Sequence, residues 1–328
     1  MALTAVDRLE ILVLVDNATD MLSSTPSHVE SEAAGLMRRG IRTMAGKCLC
    51  CAAHGLSCLV TAHRGAISHT VLFDTGPEDY AFERNVTRLG ADLGKVDSIV
   101  LSHGHWDHAG AMLLALGMIR GRGGDRKIPY YAHPGMFRSR GVKMPNGTVR
   151  RMEDIPSVED ITTFGADVVV TTEPQVLHDG MFFMSGEIPR VTPYERGYPG
   201  QVRLMEDGQS WEPDELLLDE RFLAVNVAGK GLVVFSACSH AGIVNVLTHA
   251  RASFPGVPLH AVMGGLHLSG PNEAIIPQTV DGLRGFDLKT IAAGHCTGWR
   301  AMTALANAFG DRILAPTAVG ERYVFGPS

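Results

Sequence analysis

Short apolar runs rich in Val, Ile, Leu and Phe recur along the chain, most of them closed by Gly, Asp or Ser. Runs of this kind predict strands buried on one or both faces. A first series reads ILVLV (11–15), LSCLVTA (56–62), HTVLFDTG (69–76) and DSIVLSHGH (97–105). A second holds ADVVVTT, GMFFMSG, RFLAVNV (221–227), KGLVVFSACSH (230–240), LHAVMGG (259–265) and LKTIAAGHC (288–296). Between them, apolar positions at helical spacing predict helices over 81–89, 109–119, 241–253, 274–283 and 299–309. Strands followed by helix, twice over, predict an α/β fold with two β-rich halves and helices outside. That is a four-layer αβ/βα sandwich, with a simpler α/β fold as the alternative.

Two segments break the pattern. Residues 20–52 are polar and mixed and end in a cysteine cluster, while 191–218 (VTPYERGYPGQVRLMEDGQSWEPDELLL) carry Pro, Gly and charge without a clear period. Both read as insertions into one domain spanning 1–328, of the kind that serve as lids or mobile loops. Charge narrows the partners. With 29 basic against 35 acidic residues and a net charge of -6, a general grip on nucleic acid is disfavoured. No run approaches the roughly 20 apolar residues of a membrane span. ILVLV follows Asp7 and Glu10 and precedes DNATD, so it reads as a first strand rather than a leader. Adjacent Cys50 and Cys51 suit a disulfide framework poorly, which points to reduced thiols and a cytoplasmic location. CLCC (48–51) lacks the second cysteine pair of a structural zinc site and reads as a loop.

The chemistry concentrates in LSHGHWDHAGA (101–111), where His103, His105, Asp107 and His108 fall at a strand-to-helix junction. Alternate strand residues share a face, so His103 and His105 can converge on one cation while Asp107 and His108 turn toward a second. Gly104 and Gly110 ease the turn between strand and helix. One histidine alone would read as a helix cap. Four donors together read as two divalent metal ions, zinc first, with manganese or iron as alternatives.

These residues carry a resemblance. HGHWDH resembles the HxHxDH motif of the metallo-β-lactamase superfamily, and VLFDTG, with Asp74, resembles that fold's early strand-end aspartate. More narrowly, VLVDN, AHGLSCLV, VDSIVLSHGHWDHAGA, SGEIPR, CSHAGIVN, GGLHL and GHCTG are similar to the branch named after the dihydropterin–ribofuranosylaminobenzene-phosphate synthase. The resemblance covers nearly the whole chain except the two insertions. It implies His103 and His105 on a first metal, Asp107 and His108 on a second, and His295 of AGHCTG as the last histidine ligand. The middle departs: many members carry Pro-Gly-His and Gly-Asp where this chain has SGEIPR and SACSHAG. Glu187 falls in the first place and Cys238 in the second, with His240 just beyond. His240 is the preferred ligand and Cys238 the second choice, its alternative being a thiol that packs under the site. Glu187, Arg190 and His267 are expected to contact substrate, although Glu187 can instead pair with Arg190, and His267 can instead hydrogen-bond a ligand or ligate a metal itself.

Two close divalent ions bring the pKa of a bound water from about 15.7 to near 7. No Gly-x-Ser-x-Gly elbow competes, so that water is the expected nucleophile, oriented by Asp107, which can also take its proton. A metal-dependent hydrolase, or a phosphate- or pyrophosphate-displacing transferase, on a small molecule follows. The resemblance implies a phosphate-bearing or pterin-like substrate, for which Arg190, Arg196 and Arg203 offer guanidinium forks. A diiron oxidoreductase on the same fold is the alternative. His105 stands where those relatives usually carry glutamate, and the chain shows no flavodoxin-like extension. A metal-bearing regulatory or binding protein is the third reading.

Overall fold

Two large sheets face each other in the computed structural model, which describes residues 3–124 and 126–327. The first runs, edge to edge, Val29–Glu30, Arg322–Phe325, Arg8–Val15, Ser57–Arg64, Ile67–Phe73, Val96–Val100, Ile128–Ala132 and Ala166–Val170. It is antiparallel up to Ile67–Phe73 and parallel from there on. The second runs Gln175–Leu177, Phe182–Met184, Leu223–Val227, Gly231–Ser236, Leu259–Gly265 and Thr290–Gly294. It too begins antiparallel and ends parallel.

Alternation along RLEILVLV explains how the sheets meet. Leu9, Ile11 and Val13 point into the space between them and join Val60, Val71 and Phe73 against Phe182, Val225, Phe235 and Met263. Each large side chain withdrawn from water there contributes about 1.5–3 kcal/mol. Helices close the outer faces. Asp79–Leu89, Met112–Gly123 and Val158–Thr163 cover the first sheet through Phe82, Val86, Met112, Leu116 and Ile161. Ile243–Ser253, Ile276–Arg284 and Trp299–Phe309 cover the second through Ile243, Leu247, Val280, Leu283 and Leu305. The expected four-layer αβ/βα sandwich is therefore the observed one. Local signals set the helix ends: Glu78 accepts from the amides of Tyr80 and Ala81, and Gly90 stops the same helix at a φ of 60°.

The expectation for 191–218 needs correction. It is irregular only in part: Gln201–Leu204 and Trp211–Pro213 form a hairpin that pairs with a second hairpin, Arg140–Lys143 and Val149–Arg151. The four strands make a small sheet, called the cap here. Its two turns carry Asn146-Gly147 and Asp207-Gly208, with Gly147 at φ 84° and Gly208 at φ 68°. A left-handed glycine after Asn or Asp turns a strand back on itself, and no large core is needed to specify it. Residues 20–52 are held to the first sheet by Val29–Glu30 and by Glu32–Arg38, a helix capped by Ser31. The Cys50 amide donates to Glu32 and the Cys51 amide to Asn85, and all six cysteines are free. Among the described residues no helix is long and apolar enough to cross a membrane.

Candidate metal centre

The parallel strands of both sheets end along one edge, and the expected donors gather there. His103, His105, Asp107 and His108 follow Val96–Val100, Cys238 and His240 follow Gly231–Ser236, and His295 follows Thr290–Gly294. Donor atoms of His103, His105 and His240 lie within 4.8 Å of one another, and so do those of Asp107, His108 and His295. Cys238 stands between the two sets, its Sγ 3.2 Å from both His108 Nε2 and His295 Nε2. The six expected ligands thus converge, and the Cys238 thiol lies among them. Asp74, Ser239, His267 and His295, all at strand ends around the cluster, have φ of 59°, 57°, 42° and 46°. That left-handed conformation costs a residue with a side chain roughly 1–2 kcal/mol.

Hydrogen bonds aim the imidazoles. Asp74 is fully buried and accepts from Ser102 Oγ at 2.7 Å and from His108 Nδ1 at 2.7 Å. Ser102 Oγ, its proton committed to Asp74, accepts from His103 Nδ1 at 2.9 Å. Asn17 Oδ1 takes the Nδ1 proton of His295 at 3.0 Å, while Asp16 accepts that residue's backbone amide. The Nε2 atoms of His103, His108 and His295 are thereby the ones turned toward the cluster. His105 is turned the other way. Its Nε2 donates to Gln201 Oε1 at 2.9 Å, so its Nδ1 faces His103 Nε2 at 3.0 Å.

Two observations show that the donor set fits divalent cations. Lone pairs of His103 and His105 point at each other across a hydrogen-bond distance. His240 is buried with neither ring nitrogen hydrogen-bonded, an expensive state for a polar group unless a cation takes it. Electrostatics agree. Burial, with the neighbouring histidines, holds His103 and His240 well below the usual imidazole range. Burial and the Arg140 guanidinium bring His105 to about 3. At His108 burial is outweighed by the carboxylates of Asp107 and Asp74, which raise it to about 9, so ligation there at neutral pH releases a proton. Asp107 is held low by His108 and His295 against the effect of burial.

Above the cluster opens a cavity of about 590 Å³. His54, Trp106, Tyr198 and His267 line it with rings, and Arg150 and Arg151 enter from the cap. His54 Nε2 lies 3.5 Å from Asp107 Oδ2. Tyr198 packs 4.9 Å from the ring of His267, which sits 4.3 Å from that of His240. His267 is therefore in the site, as expected. Glu187 and Arg190 are not. Their loop follows Phe182–Met184, two strands away from the strand that leads to Cys238, or about 10 Å across the sheet. Glu187 pairs with His133 at 3.2 Å instead of with Arg190, whose guanidinium donates to the carbonyls of Ile188, Leu216 and Leu217. Arg203 is tied to Glu212, and Arg196 donates to the Pro193 carbonyl. The arginines that reach the cavity are Arg150 and Arg151, beside a turn that MPNGTV (144–149) announces. Asp16, Asn17 and His54 lie in VLVDN and AHGLSCLV, stretches that carried the resemblance without showing what each residue does.

This arrangement puts the chain in the class of metal-binding proteins with the metallo-β-lactamase fold. Residues 69–173 match the family described as Beta-lactamase superfamily domain. Over 250 residues the chain is 30% identical to the 7,8-dihydropterin-6-methyl-4-(beta-D-ribofuranosyl)-aminobenzene-5'-phosphate synthase of Methanocaldococcus jannaschii, covering 76% of this chain and 82% of that one. The chain belongs to the metallo-β-lactamase superfamily and, within it, to the family of that synthase. A solved structure described as a metal-dependent hydrolase of the β-lactamase superfamily superposes with a TM-score of 0.70 at 21% identity, covering 98% of this chain and 99% of that one. The metallo-β-lactamase fold protein YhfI of Bacillus subtilis gives 0.50 at 11% identity, covering 97% and 100%.

Proposed function

We propose that the protein is a dinuclear metal-dependent hydrolase, or a transferase displacing phosphate or pyrophosphate by the same chemistry, acting on a small phosphate-bearing or pterin-like substrate. One observation carries it: two donor triads, one on each side of Cys238, at the floor of a solvent-open cavity. Two bound divalent ions, zinc foremost given the imidazole and thiolate donors, supply hydroxide at neutral pH and hold developing negative charge. Asp107 carries its carboxylate on the cavity floor, where it orients the attacking water. His54, its imidazole pushed below the ordinary range by burial and by His295, stands next to Asp107 and can take the proton outward. Arg150 and Arg151 suit an anionic group, and Trp106 and Tyr198 suit the faces of a flat ring. The name of the methanogen relative supports the same substrate class.

Elemental analysis of protein loaded with zinc and freed of excess is expected to give close to two ions per chain. A value near zero ends the metalloenzyme reading. The loaded protein is then assayed on phosphomonoesters, phosphodiesters, pyrophosphates and lactones. Turnover confined to lactones overturns the substrate class.

A further inference from the structure

Three of the imidazoles are oriented by residues of the sandwich itself. Asp74, directly for His108 and through Ser102 for His103, and Asn17 for His295 all sit at strand ends of the first sheet. His240 has no hydrogen-bonded partner, and His105 is oriented from outside the sandwich. Its partner, Gln201, belongs to the cap, in the segment whose sequence shows neither a period nor a family motif.

The cap holds Gln201 firmly. The residue is fully buried, its amide donates to the Tyr198 carbonyl at 3.2 Å, and its carbonyl accepts from Asp214 at 3.0 Å. Pairing with Val142 fixes its register against the neighbouring hairpin. Arg140, two residues back on that hairpin, donates to the carbonyl of Gly104, the residue between His103 and His105. Gln201 Nε2 has no hydrogen-bond partner, so the contact to His105 is the one its carboxamide makes among the described residues.

We propose that Gln201 is a positioning residue: by accepting the Nε2 proton of His105 it fixes the tautomer that offers Nδ1 to the first metal, so that one half of the centre depends on the cap. The inference rests on the metal reading above. Without the acceptor, the His105 proton is free to move to Nδ1, where it blocks ligation, and the ring is free to turn. The second half of the centre, oriented by Asp74 and Asn17, does not depend on Gln201.

The test compares wild type with Gln201→Leu and Gln201→Glu, stripped of metal and titrated with zinc against a chromophoric chelator. Gln201→Leu is expected to weaken one of the two zinc equivalents by about 10–100-fold and leave the other unchanged. Gln201→Glu keeps an acceptor oxygen for the His105 Nε2 proton and puts a second, charged acceptor in place of the unpartnered amide, which strengthens that hold, so it is expected to restore the weakened equivalent. Thermal midpoints and circular dichroism of the metal-free variants report folding separately. Gln201→Leu binding both ions like wild type overturns the proposal. So does Gln201→Glu binding as poorly as Gln201→Leu, or equal loss of both ions with a lowered metal-free midpoint. Wild type that takes up no zinc removes the metal reading itself, a result distinct from the other three.

Discussion

Arg140 offers the sharpest test of how the cap is held to the sandwich. Its side chain is 3% exposed, with Nε 2.9 Å from Asp214 Oδ2 and NH2 2.5 Å from Asp219 Oδ1. Both carboxylates are buried, and Asp219 also accepts the Gly104 amide at 3.0 Å. Arg140→Met fills most of the space but leaves buried Asp219 without its cation and Asp214 with only Arg203, 3.8 Å away, and takes the donor from the Gly104 carbonyl. Removing one partner of a buried ion pair costs about 3–5 kcal/mol, because the charge left behind has no water to turn to. The expected loss is of that size, a large part of a total stability of about 5–15 kcal/mol. Urea unfolding followed by tryptophan fluorescence and circular dichroism measures it. The triple variant Arg140→Met, Asp214→Asn, Asp219→Asn buries no charge and is expected to recover part of the loss. A single variant within about 1 kcal/mol of wild type, or a triple variant worse than the single, refutes the reasoning.

Further measurements address the centre and its surroundings. Cobalt-loaded wild type is expected to show an intense near-ultraviolet thiolate charge-transfer band that disappears in Cys238→Ser, since sulfur is a soft donor; a band absent from wild type removes Cys238 from the ligands. His240→Ala is expected to lose one ion and turnover while its metal-free circular dichroism stays that of wild type; retention of two ions would show that His240 does not ligate. Arg150→Ala is expected to raise KM for a phosphate-bearing substrate roughly tenfold, about the effect of one lost charge-assisted hydrogen bond, with little change in kcat; an unchanged KM excludes the arginine from binding. Away from the site, burial pushes the Glu321 carboxyl from its ordinary 4.5 up to about 7. In that window the folded chain holds the extra proton, so stability is full below the lower value and falls as pH rises through the upper one, by up to about 3 kcal/mol. Glu321→Gln keeps an acceptor for Tyr323 and Ala318 and is expected to flatten the pH dependence of urea midpoints between pH 5 and 8. A slope equal to that of wild type would count against it.

Much of the candidate centre was legible because its donor residues sit where strands end. His103, His105, Asp107 and His108 fall within six positions, where spacing and donor type marked them, and His295, which closes an apolar run, was marked by the resemblance. His240 was separable from its surroundings by its place two residues beyond Cys238. The long strands and helices were legible for the same reason, since each repeats a burial period over many residues. What escaped was set by long-range pairing. Gln201 carries no donor pattern, and its role comes from a register between two hairpins separated by some 60 residues of chain. Arg190 and Arg203 looked available for an anion because a sequence does not show which carbonyls or carboxylates occupy a guanidinium. Glu187 was misplaced because counting strands along the chain does not give their order across the sheet.

The left-handed residues around the centre set a limit on how this protein can be improved. Asp74, Ser239, His267 and His295 hold conformations that glycine adopts without penalty. A selection for heat resistance that looked only at survival of the fold would favour glycine at those places, unless the side chains' own bonds outweigh the strain. At Ser239 the exchange forfeits two hydroxyl bonds, to Ser236 and Gly265. At Asp74, His267 and His295 it erases the groups that make the centre. Gains in durability at these strand ends would therefore appear as losses of turnover, and the positions where they conflict can be named before any library is made.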